Sequence, residues 1–201
     1  ILFILSFGFA STWQGINFDS ATKSKMLVTF SNVETTTIEF DIDGFHLIPV
    51  MTPEGEMNLA RLSDGASLLE AGSPDVQKYS RSIIIPDSKK MALRVTSSKY
   101  VDYENVLIAP SKGNVSRLIN PDDLAYKFGD VYEEDNYFPG DLAELGDPYI
   151  LRDLRGVTVE FYPIQYNAKL NILRVYTEIN VEVYANGNGL LNTFQRNRNA
   201  K

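Results

Sequence analysis

Between Leu173 and Tyr184 the chain alternates without a break. Leu173, Val175, Thr177, Ile179, Val181 and Val183 fall on one side, and Arg174, Tyr176, Glu178, Asn180 and Glu182 on the other. A strict period of two over such a length describes a half-buried antiparallel strand and no helix. A strand with one apolar face needs a second layer to cover it. The same period recurs upstream. Val157, Val159 and Phe161 alternate with Thr158, Glu160 and Tyr162, and the short link Tyr166–Asn171 predicts a hairpin between this run and the long one. Met26, Val28 and Phe30 form another run, as do Ile38, Phe40 and Ile42, and Met91, Leu93 and Val95. Ile83–Ile85 before Pro86, and Val106–Ile108 before Pro110, are short enough for buried strands. No window of helical length keeps a 3.6-residue period; Asp141–Leu145 could form one turn. The expectation is an all-β, antiparallel β-sandwich. At 201 residues the chain can bury a sizeable core without disulfide staples.

Composition narrows the chemistry. There is no cysteine and one histidine, His46, so no thiol nucleophile, zinc-thiolate site or His-pair metal site can be assembled. A formal charge of −7 argues against a general nucleic-acid binder. Glu133-Glu134-Asp135 and Asp41-Ile42-Asp43-Gly44 both lack the ligand spacing of a calcium loop. Asn114-Val115-Ser116 matches a glycosylation sequon of little specificity, and His46 is expected to be structural. No cofactor or metal is called for.

The ends differ in kind. Ile1–Ala10 is an almost unbroken apolar run, too short to span a bilayer, and reads as the remnant of a signal peptide. Gly8 and Ala10 place cleavage before Ser11; a buried first strand is the alternative. The expectation is an exported protein, not integral to the membrane, destined for the periplasm and then the cell surface or medium. Residues 11–184 read as one β domain. Residues 185–201, with glycines at 187 and 189, read as a flexible exit in which Arg196 and Arg198 are candidate maturation sites.

Ser111–Arg155 does not fit the strand pattern. It carries several Gly and Pro residues and scattered aromatics, among them Tyr132, Tyr137 and Phe138. A long irregular stretch in a compact domain is usually functional or disordered, and the aromatics argue against disorder. Charge divides within it: residues 78–117 hold eight basic against three acidic side chains, and 118–160 three basic against eleven acidic. Such a division suits a specific charged partner.

From Val106 onward the runs VLIAPSKG (106–113), SRLINPDD (116–123), YFPGDLAEL (137–145), DPYILRDLRG (147–156), PIQYN (163–167) and LRVYTEINVEV (173–183) resemble the propeptide of gingipain-type cysteine endopeptidases, most of all the Arg-specific branch. The likeness covers residues 70–184 well. One departure is that Gly72-Ser73-Pro74 continues into Asp75-Val76-Gln77 rather than a Leu-Pro pair. The resemblance implies an all-β, jelly-roll-like prodomain that inhibits and helps to fold a peptidase domain joined to it in cis. It implies no catalysis by this chain, whose share of such a precursor would be the pro-part. It also implies a long inhibitory segment that offers a basic side chain to the specificity pocket. The matching residue is Arg117, flanked by Ser116 and Leu118, with Lys112 as understudy and Arg117-Leu118 as a processing bond. A guanidinium suits a carboxylate-floored pocket because it forms two parallel charge-assisted hydrogen bonds. The competing reading is a secreted β-sandwich binding module, an adhesin or carbohydrate-binding domain, using Tyr132, Tyr137 and Phe138 as a ligand platform.

Overall fold

The computed structural model describes residues 10–195, so the apolar run before Ala10 and the arginines at 196 and 198 lie outside it. Apart from two single-turn 3-10 helices, Pro121–Asp123 and Asp130–Tyr132, the described secondary structure is strand. One sheet is built on β13 (Ile172–Asn188). β8 (Lys89–Glu104) runs along one edge of it, and β12 (Ile164–Asn167) and β3 (Thr35–Asp41) share the other, with β2 (Lys25–Ser31) outside β3. A second sheet pairs β11 (Leu154–Phe161) with β7 (Gln77–Ile84). It is completed by β6 (Ala66–Ser67), β9 (Ala143–Leu145) and β10 (Tyr149–Leu151). β1 (Thr12–Gly15), β4 (Gly44–Thr52) and β5 (Gly55–Arg61) make a smaller third sheet. All the strand pairs are antiparallel.

The two larger sheets face each other. Phe40 of β3 stacks on Phe161 of β11 with ring centroids 4.7 Å apart, and Tyr79 of β7 closes on the same Phe40 at 5.0 Å. Around them lie Ile38, Val159, Leu173, Val175, Ile179, Val181 and Val183, all buried. The inward face read from the alternation of β13 is the inward face of the molecule. Val157, Val159 and Phe161 likewise point in.

Several expectations are corrected. β13 does not form its hairpin with residues 157–161. It pairs with β12, while β11 belongs to the opposite sheet. The chain changes sheets at Tyr162-Pro163, where proline has no N–H for a ladder; the Pro163 carbonyl instead accepts the N–H of Tyr176 at 2.7 Å. Asp141–Leu145 is not a helical turn, because Ala143–Leu145 forms β9 against β11. Val106–Ile108 is not a regular strand; Ile108 is buried through a single parallel bridge to Asn58. Tyr176, assigned to the outer face, is buried beside a register shift in the β8–β13 ladder, where an extra residue re-aims side chains. β2 exists, but as an edge strand its Val28 and Phe30 remain exposed. β13 also runs four residues past Tyr184, to Asn188, and the chain beyond it is held by hydrogen bonds. No described helix is long and apolar enough to cross a membrane.

Candidate functional site

The irregular segment is anchored at one point. Gly72–Asp75 and Ala109–Ser111 form a short antiparallel ladder: Asp75 N–H donates to Ala109 O at 2.9 Å, Ser111 N–H to Ser73 O at 2.7 Å, and Gly72 N–H to Ser111 O at 3.0 Å. The chain leaves at Lys112 and returns at Gly129, whose N–H donates to Gly72 O at 2.9 Å. Both limbs of the 112–128 loop therefore end on one residue. Gly72 has φ +84°, which favours glycine, and a Cβ on Gly129 would meet Gly72 O at 3.1 Å. The Gly72-Ser73-Pro74 turn, which matches the family's Gly-x-Pro and departs from its pattern only in the residues that follow, is the base of the loop.

At the far end Ser116–Ile119 makes a β-turn, closed by Ile119 N–H donating to Ser116 O at 3.0 Å. Leu118 N–H also donates to Ser116 Oγ at 3.4 Å. Arg117 and Leu118 occupy the two central positions and both are exposed, Leu118 at 96%. Asn120 caps the following 3-10 turn through Oδ1, which accepts Asp122 N–H at 3.2 Å. Ser116, Arg117 and Leu118 thus stand together at the tip. Lys112 does not join them. Its Nζ donates to Pro121 O at 2.8 Å and lies 4.3 Å from the centre of the Tyr126 ring, so it points back across the loop.

The aromatics of the segment serve the fold rather than a ligand platform. The Tyr132 hydroxyl donates to Ile108 O at 2.9 Å, and its ring meets Phe128 edge-on at 4.9 Å. Burial pushes the Tyr132 phenol pKa well above its ordinary value. Phe138 is bridged to Tyr166 by two backbone hydrogen bonds. Tyr137 faces Tyr100 across the Arg174 guanidinium, which lies 4.3 and 4.0 Å from the two ring centres and is gripped by both carboxylate oxygens of Asp102. This engagement removes the observation on which the adhesin reading rested.

The other candidates are structural as well. Asp43 is buried and accepts from Lys25 (2.7 Å), Asn17 (3.0 Å) and Thr22 (3.3 Å). Burial works to raise its pKa, but these donors outweigh it and hold the carboxyl below the usual range. His46 packs edge-on against Trp13 and contacts Ser11 Oγ at 3.0 Å. Among the described residues no three His, Cys, Asp or Glu side chains gather as metal ligands would. Three of the basic side chains of 78–117 are engaged in ion pairs, Lys78–Glu160, Arg94–Glu182 and Lys99–Glu178, of which only Glu160 belongs to the acidic stretch. Sequence reasoning missed Arg155. It is 1% exposed and donates to the carbonyls of Pro86, Lys89, Leu191 and Asn192. A signal was present, because Arg155 keeps step with Val157, Val159 and Phe161 on the inward side of β11.

Residues 21–200 match the family model Propeptide_C25. The chain is 40% identical to Gingipain R2 of Porphyromonas gingivalis over 163 residues, which is 81% of this chain and 22% of that protein. It is 40% identical to Gingipain R1 of the same organism over 157 residues, 78% of this chain and 16% of that one. It spans about a fifth of the length of these curated relatives. Its structure is similar to that of one chain in the complex of Porphyromonas gingivalis RgpB pro- and mature domains, with a TM-score of 0.81 and 38% identity over 85% of this chain and 88% of that one. A structure described as an insight into zymogenic latency of gingipain K shares the fold, with a TM-score of 0.73 and 20% identity over 89% of this chain and all of that one. The described chain is the propeptide part of such a precursor and not its catalytic part. It belongs to the Propeptide_C25 family.

Proposed function

We propose that this chain is the prodomain of a gingipain-like cysteine endopeptidase, keeping the peptidase latent and assisting its folding in cis. The observation that carries the reading is the likeness, at 38% identity and a TM-score of 0.81, to a pro-domain in complex with its mature domain. Arg117 is the basic side chain offered to the specificity pocket. Its exposed place at the tip of a loop anchored at both limbs supports that role, since binding energy concentrates in a few protruding, pre-positioned side chains. Lys112 is not the pocket residue, because reaching a pocket would cost it both of its contacts within the loop. Arg117-Leu118 is a processing bond only once its turn opens, for an endopeptidase cleaves an extended chain. Export through residues 1–10, a new terminus at Ser11, and maturation at Arg196, Arg198 or beyond complete the proposal.

Titration of the purified chain against an Arg-specific gingipain-type peptidase tests it. Removing one partner of a desolvated charge pair costs about 2–5 kcal/mol. Arg117→Ala should therefore raise the inhibition constant roughly 30-fold or more. Arg117→Lys should fall between, keeping the charge and losing the planar fork. The Tm should barely move, since an exposed loop side chain contributes little to folding. An Arg117→Ala chain that folds normally and inhibits as tightly as the parent would defeat the assignment.

A further inference from the structure

A loop of this length, fixed only at its base, can place its tip in many ways. Only the fraction already in the competent arrangement binds, and apparent affinity falls in proportion to that fraction. The Gly72–Gly129 clamp restrains the two limbs where they leave the sandwich. It does not reach the turn at Ser116–Ile119. The contacts of Lys112 come closer to it. Standing one residue after the clamped Ser111, its ammonium spans to Pro121 O on the returning limb at 2.8 Å and rests over Tyr126 at 4.3 Å. A charge-assisted hydrogen bond and a cation–π contact thus close the tip, 113–120, into a smaller ring within the larger loop. A smaller ring retains less conformational freedom.

We infer that Lys112 is a positioning residue: it ties the outgoing and returning limbs of the loop together, so that Arg117 is already presented before the peptidase arrives. The inference rests on the proposed role of Arg117. Gly113 fits the same design. Its φ is +81°, a Cβ there would meet the Ala71 Cβ at 2.9 Å, and its N–H donates to Ser111 Oγ at 3.1 Å.

The test is a double-mutant cycle on the purified chain, with an Arg-specific gingipain-type peptidase as the probe. Lys112→Met keeps the apolar stem and removes the donor and the charge. It should weaken inhibition roughly tenfold if the brace raises the competent fraction from about a tenth to near one. It should also speed amide exchange in 113–120 and leave the Tm within about two degrees of the parent. Lys112→Arg, which keeps a cation and a donor, should restore most of the inhibition. In an Arg117→Ala background Lys112→Met should cost nothing more, because a brace matters only through what it presents. A full additional loss in that background would make Lys112 a direct contact and overturn the inference. So would unchanged inhibition by Lys112→Met, or a large fall in Tm with loop exchange unaltered. An Arg117→Ala chain that inhibits like the parent sinks the reading of Arg117 instead, a separate outcome that takes this inference with it.

Discussion

Arg155 carries a guanidinium into the interior, and all four of its hydrogen bonds end on main-chain carbonyls. Burial pushes its pKa down while the charge of Asp87 works against that fall. Two acceptors, Pro86 and Lys89, flank the turn from β7 to β8. The other two, Leu191 and Asn192, lie beyond β13, so one side chain straps the outgoing chain onto the sandwich. Gly189 N–H donating to Ser88 O at 2.8 Å and Phe194 N–H donating to Asp87 O at 2.9 Å complete the strap. Arg155→Met keeps most of the volume but strands the acceptors, and each one left buried and unpaired costs about 1–3 kcal/mol. Water can reach the exposed outgoing carbonyls, so the expected loss is about 2–4 kcal/mol. The Tm should then fall by roughly 4–16 °C. Arg155→Lys should recover little of it, since an ammonium cannot fork to four carbonyls. Amide exchange at Gly189 and Phe194 should quicken in both variants while the β3–β13 ladder stays protected; protection at Phe194 equal to the parent's would show that the strap is held by something else.

At the scale of elements, β13 organises the fold, because three other strands pair along it. Val181 sits opposite Ile38 on one side and Val95 on the other, with its side chain fully buried. Val181→Asp would place an unpaired charge between the sheets, at a cost of several kcal/mol, in a domain whose total stability is about 5–15 kcal/mol. Thermal melts should show the cooperative transition lost or lowered by well over ten degrees. The neighbouring Glu182→Gln, which gives up only the exposed pair with Arg94, should shift it by no more than a few degrees. A Val181→Asp chain melting like the parent would mean that this face is not the buried one. The inward face of β13 and of β3 was legible in the sequence because a period of two identifies faces. It does not identify partners, and so it mispaired residues 157–161 with β13; pairing depends on where the chain changes sheets, which Pro163 decides through a missing N–H. Nor could it reveal β9, whose Ala143-Glu144-Leu145 is too short to show a period. The tip residues Ser116, Arg117 and Leu118 were legible as a string, but the clamp at Gly72 and the brace at Lys112 join residues far apart along the chain or across a loop, and no spacing rule reports them.

For the whole molecule, what matters is that latency in a precursor is an intramolecular equilibrium. Arg117 stands on a loop whose base is rooted in the body of the sandwich, and the outgoing chain is strapped to that body through Arg155, so the base of the loop and the outgoing chain are held by one packed structure rather than joined by slack chain. When two parts are joined by a short connection, the effective concentration of one around the other is on the order of millimolar. Against a contact of micromolar intrinsic strength, that leaves about one molecule in a thousand open. Once the junction is cut, the same contact becomes bimolecular, and at nanomolar protein nearly all of it dissociates. Under the proposed function, an uncleaved precursor should therefore show a low specific activity that does not change over a thousandfold dilution. An equimolar mixture of the separate chain and its mature peptidase should regain activity on dilution, with a midpoint near its dissociation constant. Arg117→Ala should shift that midpoint to higher concentration by the same factor as it raises the inhibition constant, and in the precursor it should raise the residual activity by a similar factor while leaving it independent of dilution. A precursor whose specific activity climbs as it is diluted would mean that one molecule silences another, and the proposed inhibition in cis would be wrong.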